Sequence, residues 1–247
     1  MPGERILILG GTRDARDLAA ALIAEGYDVI SSLAGVTESP VLPQGQVRRG
    51  GFGGPEGLAR FVLEEAIAAV ADATHPFAAQ MSRHAHEACG AANRPLLRLE
   101  RPPWTPVPGD TWVTVNSASE AAAELPGGAR PLVTIGRKEI GVFMARGDLS
   151  GVARMIEPPN SGIPSTWTLV LERPPFDVRS EVELITHHAI THLVTKNAGG
   201  ADTYAKLEAA REAGLTVLMI ARPEKPDVPV FPSVKDFIPA LQRLLLP

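Results

Sequence analysis

The feature that most restricts the fold of this chain is an alternation of short apolar segments with stretches that carry one apolar helical stripe. Residues 5–10 form an apolar run that ends in glycine, as in a parallel strand buried on both faces. Residues from about 14 to 25 then place leucine and alanine on one stripe, Gly26 ends the helix, and residues 27–32 read as the next strand. This order predicts parallel strands joined by crossover helices.

The alternation continues along the chain with one interruption, the proline-rich stretch 101–108, which disfavours both helix and central strand. We interpret that stretch as the connection between two α/β lobes, 1–100 and 101–247, both doubly wound around mainly parallel sheets. The remaining predicted strands are 68–73, 95–99, 112–115, 132–135, 168–171, 192–195 and 216–220. The remaining predicted helices are 55–65, one after Pro76, 117–125, one after Arg137, 178–189 and 202–213.

Composition excludes several classes of protein. Of the 247 residues, 45% are hydrophobic and 21% are charged, which is typical of a globular chain and not of a disordered one. The single cysteine, Cys89, has no internal disulfide partner, and the sequence has neither a secretory signal nor a long apolar run, so we predict a cytoplasmic protein without a membrane span. The net charge of −4 argues against nucleic acid as a partner.

The first strand-to-helix turn is a candidate phosphate site, because backbone N–H groups and the helix dipole favour an anion there. It matches the dinucleotide pattern only in part, since Thr12 occupies the position of the second glycine and Ala15 that of the third. Alternatively, the turn is a tight connection in which Thr12 or Asp14 caps the helix. The turn comprises Gly10, Gly11, Thr12, Arg13 and Asp14.

The second strand ends in Ser31 and Ser32, at a position where NAD sites usually carry an acidic residue that binds the ribose 2′-hydroxyl. Two hydroxyl groups do not repel a 2′-phosphate, and Arg13 in the first turn can pair with one. The pair therefore favours NADP over NAD. The alternative is that the two serines only begin a polar loop.

Thr74, His75, Pro76 and Phe77 follow the buried strand 68–73. We expect them at the carboxyl edge of the sheet, beside the first turn, where doubly wound folds bind their ligands. Thr74 and Pro76 also suit the start of a helix. His75 has no such structural explanation and is our candidate acid, although an exposed histidine beside a cap is often structural.

Two turns of the second lobe combine glycine with cations and helix starts, and we expect them to bind carboxylates or phosphates unless their cations are only solvated. Their candidate residues are Arg137, Lys138, Lys196, Asn197, Gly199 and Gly200. Arg48 and Arg49 are a weaker candidate pair for such a site, and the alternative is that both are only surface residues. His187 and His188 lack a second pair of ligands at metal spacing, so we predict no metal site.

Four sequence blocks together resemble the precorrin-6A reductase family of cobalamin biosynthesis, in order and in spacing, over nearly the whole chain. They are Ile-Leu-Gly-Gly-Thr at 8–12, Asp-Ala-Thr-His-Pro-Phe-Ala at 72–78, Ile-Gly-Arg-Lys-Glu-Ile at 135–140 and Val-Thr-Lys-Asn-Ala-Gly-Gly at 194–200. The chain departs from many members at Ala198, where a serine is expected. A hydroxyl contact at that position is therefore not expected.

The resemblance implies two Rossmann-like lobes and an enzyme that reduces precorrin-6A to precorrin-6B with NADPH, adding a hydride to one carbon of a macrocyclic double bond and a proton to its neighbour. Residues 1–100 would bind NADP, and residues 101–247 would contribute to a cleft for the polycarboxylate tetrapyrrole. By motif, Gly10 to Asp14 would hold phosphates or ribose, Ser31 and Ser32 the adenosine end, and Thr74 to Phe77 the region around the nicotinamide. The proton donor stays open: His75 is the candidate, and solvent or a substrate carboxyl are the alternatives. Lys138, Lys196 and Asn197 would face the substrate.

Three alternatives stay open at this point. A related reductase of the cobalt-containing branch acts on cobalt-precorrin-6A, often with NADH, although the two serines argue mildly against NADH. A nucleotide-binding protein without catalysis would use the same fold, since fold alone does not establish chemistry. A methyltransferase is the third alternative. A monomer is the working expectation, but the sequence does not determine the oligomeric state.

Overall fold

The computed structural model describes residues 3–35 and 41–246, and its contacts divide the chain into two units. The first unit comprises Met1–Pro102 and Pro223–Pro247, and the second comprises Pro103–Arg222. The sequence-based division near residue 100 therefore needs one correction, because the chain returns to the first unit after Arg222.

The elements follow one another in an alternating order. The strands are β1 (Arg5–Leu9), β2 (Asp28–Leu33), β3 (Gln46–Arg49), β4 (Ala69–Asp72), β5 (Leu96–Leu99), β6 (Thr111–Val115), β7 (Pro131–Val133), β8 (Gly151–Met155), β9 (Trp167–Leu171), β10 (His192–Lys196), β11 (Thr216–Ile220) and β12 (Val230–Phe231). The helices are α1 (Arg13–Ala24), α2 (Pro55–Glu64), α3 (Ala79–Ala92), α4 (Ala118–Glu124), α5 (Gly141–Met144), α6 (Val178–His187), α7 (Ala205–Glu212) and α8 (Val234–Leu245).

The sheet of the first unit has the order β12-β5-β4-β1-β2-β3, and all of its strand pairs are parallel. Strand β1 shows why helices cover both faces, since successive side chains of a strand point to opposite sides. Ile6 and Ile8 pack in one core cluster with residues of α1 and α8, and Leu7 and Leu9 pack in another with residues of α2 and α3. The predicted doubly wound, Rossmann-like architecture is confirmed here.

The second unit repeats this architecture with the order β6-β11-β10-β7-β8-β9, again with parallel pairs only. Its core includes Leu132, Val152, Leu193 and Val217 from four neighbouring strands, packed with residues of α6 and α7. Helix α4 contacts β6 and β11. Both predicted lobes therefore have an α/β fold built on one parallel sheet.

Three strands and one helix were not anticipated from the sequence. Strands β3 and β12 are edge strands of four and two residues, and β8 contains the charged residue Arg154, so none shows a plain apolar run. Helix α8 begins at Ser233, whose side chain accepts a hydrogen bond from Asp236 N, and its Phe237 is fully buried against the first sheet. The helix expected after Arg137 has only four residues, Gly141–Met144.

Candidate active site

Each sheet has one point at which the strand order reverses, and the predicted site residues other than Ser31 and Ser32 lie at or just after the ends of the strands on either side of it. In the first unit this point lies between β1 and β4, and in the second it lies between β7 and β10. Ligands of open α/β sheets bind in the crevice outside such a point. Two short stretches of each unit therefore lie where folds of this class bind their ligands.

The two turns of the first unit are joined directly by Thr12. Its Oγ1 donates a hydrogen bond to the carbonyl oxygen of Ala73 at 2.9 Å, and it accepts one from Ala15 N at 3.0 Å as the N-cap of α1. Thr12 thus caps the helix, as one interpretation of the sequence proposed, and also holds the turn after β1 against the turn after β4. The two stretches lie side by side, as the sequence predicts.

The turn after β1 depends on glycine. Gly11 has φ of +109°, a conformation that side chains rarely adopt, and no atom lies within 4 Å of where its Cβ would be. Gly10 N donates to the carbonyl oxygen of Ser32 at 2.9 Å, which fixes the turn to the end of β2. The turn therefore brings bare backbone to the N-terminus of a twelve-residue helix.

The charged residues of this turn form ion pairs with other side chains. Asp14 lies at the start of α1, where its carboxylate accepts a hydrogen bond from Arg101 Nη1 at 2.6 Å. Arg13 Nε lies 3.7 Å from the Asp17 carboxylate, and both side chains are mostly exposed. The structure thus adds Arg101, from the proline-rich stretch, to the cations near the helix start.

The two serines at the end of β2 differ from each other. Ser31 is 1% exposed, and its Oγ has no hydrogen-bond partner in the part of the chain that the structure describes. Ser32 is also buried, but its Oγ accepts a hydrogen bond from Arg48 Nη1 at 2.9 Å. Arg48 is half-buried and bound to Ser32, so the surface alternative does not hold for it, whereas Arg49 is exposed.

The turn after β4 is organised by a buried carboxylate. Asp72 Oδ1 accepts hydrogen bonds from the Thr74 hydroxyl at 2.6 Å and from the Thr74 backbone N–H at 3.2 Å. Its Oδ2 accepts from Ser82 Oγ at 2.6 Å and from Arg98 Nε at 3.2 Å. Burial, reinforced by the charge of Asp72, raises the pKa of the Cys89 thiol to about 12. Through its two hydrogen bonds with Thr74, Asp72 fixes the start of the turn.

His75 is the exposed residue at the tip of this turn, whereas Pro76 is buried. Its Nδ1 accepts a hydrogen bond from Phe77 N at 3.2 Å, and the two rings lie 5.8 Å apart, centre to centre. With Nδ1 as an acceptor the ring is the neutral tautomer that carries its proton on Nε2, and it becomes a proton donor only after Nδ1 is protonated and the bond from Phe77 N is broken.

In the second unit the turn after β7 holds cations that are paired with carboxylates. Arg137 Nη1 lies 3.5 Å from Glu157 Oε2, and Lys196 at the end of β10 forms a close ion pair with Glu139. Lys138 is exposed. The structure brings Lys196 next to the turn after β7, so the two basic turns lie beside each other.

The turn after β10 is anchored on the main chain of Trp104. Asn197 Oδ1 accepts from Trp104 N at 2.8 Å, and Asn197 Nδ2 donates to Trp104 O at 3.0 Å. The indole Nε1 of Trp104 donates to Gly200 O at 2.9 Å, and Gly199 and Gly200 both have positive φ. Asn197 thus has a structural task in addition to the ligand contact that we predict.

An open pocket of about 570 Å³ adjoins this turn. Three aromatic residues contribute to its lining, together with Gly200 and the first residues of α6 and α7. The aromatic residues are Trp104, Phe176 and Tyr204. The second unit therefore offers an apolar surface beside its basic turns.

Sequence reasoning missed Arg48, Asp72, Arg98, Arg101 and Glu139 as parts of these sites. A charged residue that closes a buried strand, as Asp72 does, was the one local signal available. The other four acquire their partners across 16 to 87 residues of chain, as with Arg48 to Ser32 and Arg101 to Asp14.

Within residues 3–35 and 41–246, no helix has the length and hydropathy needed to cross a bilayer.

Comparison with known proteins agrees with this arrangement. A model of the family described as "Precorrin-6x reductase CbiJ/CobK" matches residues 5–242. The chain is 47% identical over 239 residues to the precorrin-6A reductase of Rhodococcus erythropolis, covering 96% of each chain. It is 31% identical over 251 residues to the cobalt-precorrin-6A reductase of Priestia megaterium, covering 96% of this chain and 97% of the other.

Among solved structures, one described as CobK precorrin-6A reductase superposes with a TM-score of 0.92 at 38% identity, covering 98% of this chain and 97% of that one. The match spans both units and all four of the blocks that carried the resemblance in the sequence. The chain belongs to the precorrin-6x reductase CbiJ/CobK family, and it is an oxidoreductase with two Rossmann-like units.

Proposed function

We propose that this protein catalyses the NADPH-dependent reduction of precorrin-6A to precorrin-6B in cobalamin biosynthesis. The observation that carries the proposal is the hydrogen bond from Thr12 Oγ1 to Ala73 O, because it joins a dinucleotide-type turn to the turn that holds His75. Membership of the reductase family supports the reaction class. The higher identity to the precorrin-6A reductase than to the cobalt-precorrin-6A reductase, 47% against 31%, supports the cobalt-free substrate.

The residues of the first turn fit a nicotinamide dinucleotide. The bare backbone at Gly11 allows a pyrophosphate to approach, and α1 directs its N-terminal N–H groups and the positive end of its dipole to the same place. The carboxylate of Asp14 would repel a phosphate, but its pairing with Arg101 offsets that charge. In our proposal Gly10, Gly11, Thr12, Arg13 and Asp14 bind the phosphates and ribose, and Ser32 lies nearer the adenosine end.

Chemistry is assigned to the turn after β4. When bound, the reduced nicotinamide supplies the hydride. Thr74, Pro76 and Phe77 would form its surroundings, on a turn whose start is fixed by Asp72 through Thr74 and by Thr12 through Ala73. His75 would deliver the proton from Nε2 to the neighbouring carbon as an imidazolium, which keeps its proton on Nδ1, so the hydrogen bond from Phe77 N to Nδ1 would first have to break.

Substrate recognition is assigned to the second unit. Precorrin-6A carries many carboxylates, and Arg137, Lys138 and Lys196 are the cations of the two converging turns. Substrate carboxylates would take the place of Glu157 and Glu139 as partners of Arg137 and Lys196. Asn197, Gly199 and Gly200 shape the second of these turns through Trp104.

The test is a titration of the purified protein with NADPH and with NADH, followed by oxidation of the preferred cofactor with precorrin-6A and with cobalt-precorrin-6A. We expect tighter binding of NADPH and turnover with the cobalt-free substrate. Turnover only with the cobalt substrate would support the alternative branch. Binding of cofactor without oxidation by either tetrapyrrole would instead indicate a nucleotide-binding protein, and retention of neither cofactor would contradict the reductase mechanism.

A further inference from the structure

We infer that Arg48 is the residue that recognises the 2′-phosphate of NADPH, and that it sets the preference of this protein for NADPH over NADH. The inference rests on the proposed function, because it assigns a subsite within the cofactor site proposed above. It also moves the anion contact from Arg13, which the sequence suggested, to an edge strand that the sequence did not reveal.

The first reason is the position of Arg48. Strand β3 runs parallel to β2, and Arg48 lies directly opposite Ser32 in the register of the two strands. The end of the second strand is where dinucleotide sites of this fold read the 2′ position of the adenosine ribose. Arg48 Nη1 donates to Ser32 Oγ at 2.9 Å, so its guanidinium group lies at the end of β2, where an acidic residue of an NAD site would lie.

The guanidinium group is also held in a defined orientation. Nη1 donates to Gly50 O at 3.0 Å, and Nη2 donates to Gly51 O at 3.2 Å. The carbon of the guanidinium lies 3.8 Å from the centre of the Phe52 ring. A guanidinium held by backbone and by an aromatic ring loses little entropy when it binds an anion.

The third reason is charge. Among the residues that the structure describes, no carboxylate forms an ion pair with Arg48, and its three hydrogen bonds go to neutral oxygens. Burial lowers the pKa of Arg48, as expected for a cation without an acidic neighbour. A guanidinium has more N–H donors than these three oxygens use. A phosphate dianion would supply the missing countercharge.

The other candidates for this role are less suitable. Arg13 is 59% exposed and lies 3.7 Å from the Asp17 carboxylate on its own helix. Ser31 is buried, and its hydroxyl is not connected to a cation in the described residues. Arg49 follows Arg48 directly but points to the other face of the strand, since side chains alternate, and it is exposed. Arg49 therefore provides a matched control with the same charge one residue away.

The experiment compares 2′,5′-ADP with 5′-AMP, and NADPH with NADH, by calorimetric titration of the full chain and its Arg48→Ala, Arg48→Lys and Arg49→Ala variants. Arg48→Ala should weaken 2′,5′-ADP and NADPH about tenfold to a hundredfold, the range of a hydrogen-bonded charge, and change 5′-AMP and NADH less than about threefold. Arg48→Lys should lie between wild type and Arg48→Ala. Arg49→Ala should bind all four ligands like wild type.

Because the result is a ratio of two affinities, a general loss of folding does not imitate it. Equal losses for phosphorylated and unphosphorylated ligands would assign Arg48 a structural role and overturn the inference, as would an unchanged NADPH to NADH ratio. If Arg48→Ala does not fold, Ser32→Asp supplies the same test, because a carboxylate beside Arg48 should neutralise it and shift the preference towards NADH.

The outcome for the inference is separable from that for the proposed function. A wild-type protein that oxidises NADPH with precorrin-6A, together with an Arg48→Ala variant of unchanged cofactor preference, overturns only the inference. A wild-type preference for NADH also overturns the inference but leaves a reductase. A wild-type protein that binds none of the four ligands overturns both.

Discussion

The two units have the same strand order around their reversal points but differ in the segment that comes after the first of the two strands there. In the first unit, β1 leads through a glycine turn into α1, which has twelve residues. In the second unit, β7 is followed by residues 134–140 and then by α5, which has four residues. A long helix that starts at the sheet edge provides the dipole and the N–H groups for a phosphate, and a short, delayed one does not.

The turns after β4 and β10 differ in the same way. The first is held by Asp72, a buried carboxylate with four hydrogen bonds, and it carries an exposed histidine. The second is held by the amide of Asn197 on the main chain of Trp104, and it carries a paired lysine. The comparison teaches that a shared topology fixes where ligands bind, while turn length and local charge decide which ligand.

The largest effect is expected from removing the anchor of the first unit. Asp72→Ala leaves Arg98, which is 5% exposed, without its carboxylate, and should lower the free energy of unfolding by about 3–5 kcal/mol. Asn197→Ala, the matched change in the second unit, removes neutral hydrogen bonds and should cost about 1–2 kcal/mol. Urea unfolding of both variants measures the difference. Equal costs would mean that the two anchors are equivalent.

The next effect concerns the assignment of chemistry to the first unit. His75→Ala should lower kcat about a hundredfold with little change in KM for NADPH, because general acid catalysis contributes on that order. His86→Ala, at an exposed position of α3, should behave like wild type. Steady-state kinetics with precorrin-6A gives both values. Near-normal turnover of His75→Ala would remove His75 as proton donor and leave solvent or a substrate carboxyl in that role.

A third prediction compares one glycine from each unit. Gly11 and Gly136 have φ of +109° and +87°, and neither has an atom within 4 Å of its missing Cβ, so alanine should strain each backbone by about 1–3 kcal/mol. Gly11→Ala should weaken NADPH binding about tenfold, whereas Gly136→Ala should leave it unchanged. The measurement is the Kd of each variant. A loss of NADPH affinity in Gly136→Ala would contradict the proposal that the first unit alone binds the cofactor.

The smallest effect is expected at the ion pair of the second unit. Lys196→Gln should raise KM for precorrin-6A about threefold to fivefold, the range of a solvent-accessible ion pair, without changing the Kd for NADPH. Glu139→Gln should act in the opposite direction or leave KM unchanged, because it removes the carboxylate that competes with the substrate for Lys196. If both variants raise KM equally, the pair stabilises the turn and does not contact the substrate.

Much of the fold could be predicted because its signals are local. The apolar run 5–10 corresponds to β1 (Arg5–Leu9), and the stripe after Gly11 corresponds to α1 (Arg13–Ala24). The placement of the Thr74 to Phe77 turn beside the first turn followed from parallel order alone, and Thr12 Oγ1 to Ala73 O confirms it. Strand β3 could not be predicted in the same way, because Gln46–Arg49 is a four-residue edge strand with no apolar period.

The candidate site shows the same division between features with local sequence signals and features that depend on distant residues. The sequence by itself determined the two-unit α/β class, the glycine turn and the position of His75, since each depends on residues near one another in the chain or on the order of parallel strands. Only the tertiary structure decided that Arg48 lies against Ser32, that Asp72 gathers Thr74, Ser82 and Arg98, and that residues 223–247 return to the first sheet. These pairings join distant parts of the chain. The interactions form, and contribute to stability, only when the folded sheet brings those residues into contact.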